Sequence, residues 1–278
     1  MSGRLAEKVA VITGAASGIG AAAARRFAAE GCRLVLGDIQ RERLEALAGQ
    51  LPVHCELLTC DVRREEEVAA LVERALSVFG RLDVMYNNAG IVGAVGPIDE
   101  TPAEEWLFTL DVLLNGVFYG VKHAARVMKP KRRGSIINMA STAGLMGGLG
   151  PHAYATAKHA VVGLTRNAAT ELCRFGIRVN AIAPASMATP MVADVLANDP
   201  EAVERVKEEL ARQSPLLDRP GTAEDVANAA LWLASDESGY TTGHVLAVDA
   251  GVTIGAKAGP PNFAERTPLI REGGKRGL

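Results

Sequence analysis

The chain has 278 residues, a formal net charge of −2, 48% hydrophobic and 22% charged residues, and only 4% aromatics. That length suits one large α/β unit with a packed core. The near-neutral balance, without a basic stripe or a stacking platform, argues against nucleic acid as a partner. No apolar run reaches about 18 residues without a charge or breaker, so no membrane span is expected. Cys32, Cys55, Cys60 and Cys173 form no CxxC pair, and the opening MSGRLAEKVAVITG runs straight into a strand pattern without a leader. A reduced, cytoplasmic setting is expected.

Short apolar runs alternate with helical patterns along the chain. KVAVIT at 8–13 reads as a strand, and AAAARRFAAEG at 21–31 as a helix stopped by Gly31. RLVLGD at 33–38 is a strand, RERLEALAGQ a helix, HCELLTCDV at 54–62 a strand and REEEVAALVERALSVFG a helix. LDVMYNNAG at 82–90 begins as a strand, and 102–128 is mostly helical. GSIINMAS at 134–141 is a strand, 152–175 a long helix, and IRVNAIAP at 177–184 and HVLAVDAG at 244–251 are strands. Repeated strand–helix–strand units with near-continuous Val, Ile and Leu predict a parallel sheet covered on both faces. Residues 1–251 read as one unit. The tail at 252–278 is rich in Gly and Pro and carries Lys257, Arg266, Arg271, Lys275 and Arg276; it is expected to be extended or to serve oligomer contacts.

The first strand empties into TGAASGIG at 13–20. Gly14 permits a sharp turn, Gly18 lets backbone approach a pyrophosphate, and Gly20 lets the helix pack against the strand. The helix N-terminus, from Ser17 and Ile19 onward, then offers N–H groups to phosphate. Asp38 ends the second strand, where its carboxylate can accept from both adenosine ribose hydroxyls and repel a 2′-phosphate. NAD is therefore favoured over NADP, with Arg41 and Arg43 nearby as a counterweight. No metal site is expected. Tyr154 and Lys158 lie four apart in HAYATAKHA, hence on one helix face.

With TGAASGIG, NNAG at 87–90, Ser141 and Tyr154-x-x-x-Lys158 in order, the chain resembles the short-chain dehydrogenase/reductase family from about residue 5 to Gly251. The resemblance implies a Rossmann fold with a seven-stranded parallel sheet and helices on both faces. It implies hydride transfer between a nicotinamide dinucleotide and an alcohol or carbonyl. Tyr154 exchanges the proton, its pKa lowered by the Lys158 ammonium and a nicotinamide charge. Ser141 holds the substrate oxygen, and Lys158 also bonds the nicotinamide ribose. Asp61 and Val62 meet adenine; Asn88, Ala89 and Gly90 line the cofactor; Pro184 and Thr189 meet the nicotinamide end. Asn87 braces the central strands. The family's homotetramer would use the helices at 104–128 and 152–175, and a lid would span about 186–217.

The chain departs from the family in two places. In LDVLLNGVFYG at 110–120 the position of the family's fourth catalytic residue, an Asn, holds Leu113. Asn115, about 200° round an α-helix, faces elsewhere. Pro184-Ala185 replaces the usual Pro-Gly. Ile91, Val92, Leu145, Met146, Leu149, Met187 and Met191 suggest an apolar substrate wall and an apolar secondary alcohol or ketone. Two other readings compete: a non-catalytic NAD sensor, and a 3-oxoacyl reductase of carrier-bound chains.

Overall fold

The strands β1 (Val9–Thr13), β2 (Arg33–Asp38), β3 (Cys55–Thr59), β4 (Val84–Asn87), β5 (Gly134–Met139), β6 (Ile177–Pro184) and β7 (Val245–Val248) form one sheet in the order β3-β2-β1-β4-β5-β6-β7. Every pair is parallel. This computed structural model describes residues 3–216, 218–260, 265, 266 and 269. The tail residues Arg271, Lys275 and Arg276, on which part of the tail reading rests, lie outside them.

Alternation along β1 explains the layering. Val9 and Val11 enter one apolar cluster, Ala10 and Ile12 the other. The cluster of Ala10 and Ile12 packs Phe27 of α1 (Gly18–Ala29) and Leu231 of α9 (Ala223–Ala234) against the sheet. The cluster of Val9 and Val11 packs Leu71 of α3 (Glu65–Phe79), Val121 of α5 (Gly116–Met128) and Val161 of α6 (His152–Leu172). α2 (Arg41–Ala48) packs beside β2 and β3. A strand buried on both faces must be apolar throughout, and VAVIT is buried at all five positions. The strand order reverses between β1 and β4, so a crevice opens over their C-terminal ends.

Most boundaries differ from the sequence expectation by one to three residues, and three differences have a visible physical reason. β3 stops at Thr59: Cys60 N–H still bonds the Asp38 carbonyl at 3.0 Å, but Asp61 to Arg64 leave the ladder and turn, Arg64 N–H bonding the Asp61 carbonyl at 2.9 Å. β4 stops at Asn87, because the N–H groups of Asn88 and Ala89 bond the Thr13 hydroxyl, at 3.1 and 3.2 Å, in place of a strand carbonyl. The long helix expected over 102–128 is α4 (Ala103–Leu110), a π-helical turn (Asp111–Asn115) and α5. That wider turn absorbs one extra residue, so the 200° estimate for Asn115 does not hold. Asn115 instead donates to Asp111 Oδ1 at 2.7 Å, while Leu113 is fully buried.

Beyond β6, α7 (Pro190–Ala197) and α8 (Val203–Gln213) bury a small cluster of their own, Ala188, Ala193, Val206 and Leu210. Among the described residues no helix is long and apolar enough to cross a membrane.

Candidate active site

Gly14 has φ +64°, and a Cβ there would lie 2.6 Å from Ala89 Cα. At Gly20 a Cβ would lie 2.0 Å from the Gly14 carbonyl oxygen. Only glycine permits this turn and this approach. The loop thus clears a cleft of about 350 Å³ over the strand ends. Every sequence-predicted site residue except Gly20 lines it: Gly14, Ser17, Gly18 and Ile19 from the loop, Asp38, Asp61 and Val62 behind β2 and β3, Asn88, Ala89 and Gly90 after β4, Ser141 after β5, Tyr154 and Lys158 on α6, and Pro184 and Thr189 after β6. Gly20 lies behind the loop and serves packing.

The polar groups of this cradle are fixed in advance. Asp38 is buried; its Oδ2 accepts from Ala16 N–H at 3.0 Å and its Oδ1 from Gln40 N–H at 3.0 Å. Each oxygen keeps a lone pair for a ribose hydroxyl. Arg41 is turned away: it bonds Glu45 at 2.7 Å and the Leu57 carbonyl at 2.8 Å. Asn88 Nδ2 donates to the carbonyls of Thr13 and Gly14, both at 3.0 Å, which pins the glycine turn to β4. Asn87 Nδ2 donates to Asn138 Oδ1 at 2.8 Å, and Asn138 Nδ2 to Thr165 Oγ1 at 2.9 Å. This buried chain ties β4 and β5 to α6, the helix that carries Tyr154 and Lys158, as the bracing expected of Asn87 requires. These glycines, the N–H groups at the start of α1 and the Asp38 carboxylate match what a nicotinamide dinucleotide needs: a close backbone that donates to pyrophosphate and a paired acceptor for the ribose diol.

At the other end stand Ser141, Tyr154 and Lys158. Ser141 Oγ accepts from Ala143 N–H at 3.1 Å, which leaves its own O–H as a donor, directed at the Tyr154 phenol. Lys158 is 2% exposed; its Nζ donates to the Met139 carbonyl at 2.8 Å and sits 5.4 Å from the centre of the Tyr154 ring. Burial pushes the Lys158 ammonium down to about 8. The Tyr154 phenol departs from expectation. Its pKa is raised, because desolvation outweighs the opposing pull of Ser141. In a low-dielectric cleft the cost of the bare phenolate exceeds what these neighbours return.

Leu113 lines the cleft 3.3 Å from where a Gly90 Cβ would lie, and Asn115 does not reach it. Among the described residues no amide takes the place of the family's fourth residue beside Leu113. Ala185 keeps φ out of the left-handed region and donates to the Val248 carbonyl at 3.1 Å, so Pro-Gly geometry is not needed. Thr189 caps α7, its hydroxyl accepting from Val192 N–H.

The apolar wall needs correction. Ile91, Met187 and Met191 line the cleft, and Leu149 lines an adjoining cavity shared with Met187. Val92, Leu145 and Met146 line neither. Leu145 is drawn into the core under α6, and Met146 faces solvent. His152, the first residue of α6, is exposed and outside the cleft. Residues the sequence did not single out also line it, notably Ile39, Cys60, Arg63, Phe108 and Val112. Ile39 follows Asp38, Cys60 precedes Asp61 and Arg63 follows Val62, so these three carried a local signal, and Phe108 and Val112 carried none. Among the described residues no cluster of His, Cys, Asp or Glu could hold a metal.

Comparison with known proteins agrees with this architecture. A family model described as enoyl-(acyl carrier protein) reductase matches residues 14–253. Momilactone A synthase of Oryza sativa subsp. japonica is 48% identical over 254 residues, covering 90% of this chain and 92% of that protein. A mitochondrial borneol dehydrogenase of Lavandula x intermedia is 48% identical over 252 residues, covering 90% and 92%. The crystal structure of levodione reductase superimposes with a TM-score of 0.84 at 37% identity, covering 90% of this chain and 99% of that one. With its seven-stranded parallel sheet, its glycine cradle and these relatives, the chain belongs to the short-chain dehydrogenase/reductase family.

Proposed function

We propose that this protein is an NAD-dependent oxidoreductase that interconverts an apolar cyclic secondary alcohol and its ketone. The carrying observation is one cleft with Asp38, its carboxylate held by two backbone N–H groups, at one end and the Ser141–Tyr154–Lys158 group at the other. Gly14, Ser17, Gly18 and Ile19 would hold the pyrophosphate, Asp61 and Val62 the adenine. Asn88, Ala89, Gly90, Pro184 and Thr189 would border the rest. Bound nicotinamide supplies the hydride acceptor or donor at C4.

The protein's own groups handle the proton and the orientation. The Ser141 O–H, whose oxygen the Ala143 bond orients, turns from Tyr154 to donate to the substrate oxygen. Tyr154 Oη takes the alcohol proton, or returns it to the ketone. Its raised pKa suits donation; accepting a proton requires a neighbouring positive charge, which Lys158 and an oxidised nicotinamide would supply. Lys158, anchored on the Met139 carbonyl, keeps N–H groups for the nicotinamide ribose. Ile91, Met187 and Met191 would cover the substrate ring. Relatives named for borneol and levodione support a cyclic substrate.

Residues 1–251 form the catalytic unit in this reading, with 186–217 as lid. Leu107 and Phe118, exposed on α4 and α5, fit the homotetramer. Four free cysteines suit a reducing compartment such as the cytoplasm. The sensor reading draws on Leu113 but leaves the three converging groups without a use. The reading as a reductase of carrier-bound acyl chains draws on the description of the matching family model, and the Asp38 charge opposes its usual NADP.

The test is absorbance of NADH or NADPH formed from monocyclic and bicyclic secondary alcohols. At least one alcohol should turn over with NAD, and kcat/KM with NADP should be lower by about 100-fold, the scale of one unscreened like-charge contact. Equal use of NADP would overturn the cofactor assignment. Tight NADH binding without turnover across the panel would favour the sensor.

A further inference from the structure

Arg63 and Arg64 are sequence neighbours with different fates. Arg64 leans outward onto Glu66 and Glu67. Arg63 turns into the cleft and forks onto Asp61, with Nη2 at 2.5 Å from Oδ2 and Nε at 3.0 Å from both oxygens. Its own N–H also bonds Asp61 Oδ1 at 3.0 Å. The guanidinium carbon then lies 4.4 Å from the centre of the Phe108 ring. Phe108 comes from α4, 45 positions further along, is half-exposed, and among the described residues stacks on no other ring. Arg63, Asp61, Phe108, Val62 and Ile39 all line the cleft. An exposed aromatic and an exposed arginine have thus been brought together from two walls across one end of it.

A guanidinium is planar and stacks on rings through both faces. Here one face lies on Phe108, and the in-plane donors hold the Asp61 carboxylate. The geometry points to Arg63 as a positioning residue that closes the base-binding end of the cleft and selects a purine bearing an exocyclic amino group. Its free face covers the ring, while the carboxylate it steers accepts from the amino group. Three Arg63 donors meet Asp61, the backbone N–H, Nη2 and an Nε–H shared between both oxygens, which leaves one of a carboxylate's roughly four acceptor sites for that bond. A 6-oxo purine would set its carbonyl oxygen against the same carboxylate and be rejected. This inference rests on the dinucleotide reading of the cleft.

The fork, not the charge alone, carries the selection, so Arg63→Lys should behave as Arg63→Ala does. Fluorescence titration with NADH, competition by AMP and by nicotinamide mononucleotide, and turnover with NAD against nicotinamide hypoxanthine dinucleotide test it. Arg63→Ala should weaken NADH and AMP about tenfold and leave the mononucleotide unaffected. KM for NAD should rise about tenfold with kcat within about twofold, a split that a general structural fault would not give. The preference for NAD over the hypoxanthine analogue should fall about fivefold in both Arg63 variants, and Phe108→Ala should weaken NADH about threefold. Arg63 is exposed, so the melting temperature serves as the folding control. NADH and AMP binding within twofold of wild type in Arg63→Ala, with base preference unchanged, would overturn the inference and leave the dinucleotide reading intact. Wild-type protein that bound no NADH would overturn both.

Discussion

The two ends of the cleft are built differently. The dinucleotide end is made of strand termini and backbone, with its polar groups bonded before any ligand arrives: Asp38 to two N–H groups, Asn88 to two carbonyls. The substrate end is made of side chains from α6, whose key charge is buried at a cost, and of the α7–α8 segment, which holds itself together with only four buried apolar side chains. A preformed cradle suits a ligand common to a whole family. A strained charge under an adaptable cover suits chemistry and a particular substrate. Changes at the two ends should therefore separate binding of cofactor, turnover and binding of substrate.

The largest separation should come from Lys158→Met. Turnover should fall about a thousandfold, within the usual range for losing a group that sets a proton-transfer site. Stability should move the other way. Burial holds Lys158 near 8 against an ordinary 10.5, so below pH 8 the folded protein carries a buried charge that the unfolded chain hydrates. Between pH 8 and 10.5 the unfolded state binds more protons, and wild-type stability therefore gains with rising pH from this group. Methionine removes the penalty and one hydrogen bond. Denaturant unfolding at pH 7 should show the variant more stable by about 2 kcal/mol, a gain that disappears by about pH 10. A variant less stable than wild type at pH 7 would mean that Lys158 is not paying for its position.

Asn138→Ala tests whether the brace links the two ends. It strips Asn87 and Thr165 of their buried partner. Stability should drop by about 2–3 kcal/mol, and kcat by about tenfold as α6 loses its fixed position. Unchanged kcat in the folded variant would separate the brace from the chemistry. The smallest effect should be at the cover. Amide exchange across α7 and α8 should slow about threefold to tenfold with NADH and substrate together, while β1 and β4 stay as they were. Equal slowing in all four, or none in α7 and α8, would remove the distinction between a rigid cradle and a closing lid.

The same contrast governs what could be read in the sequence. The cradle was legible because its parts are local: three glycines and a strand fall within 13 residues, and Asp38 ends the next strand. Tyr154 and Lys158 were legible because four residues on a helix is one turn. What escaped depends on contacts between distant segments. The π-helical turn at Asp111–Asn115 arises where one extra residue must fit between α4 and α5, and no residue in LDVLLNG announces it. Arg63 meets Phe108 only once β3 and α4 are placed. The direction of the Tyr154 shift turned on burial, which spacing does not report. Leu145 and Met146 were misplaced because a loop's facing is set by the core beneath it.

The central claim is that Tyr154 moves the substrate proton at the end of a cleft that binds NAD independently of it. Tyr154→Phe, assayed with NAD and a cyclic secondary alcohol that the wild type oxidises, tests this most directly. NADH affinity should stay within about threefold while turnover falls at least about a thousandfold at every pH from 6 to 10. Turnover within about tenfold of wild type would contradict the account and move the proton to another group.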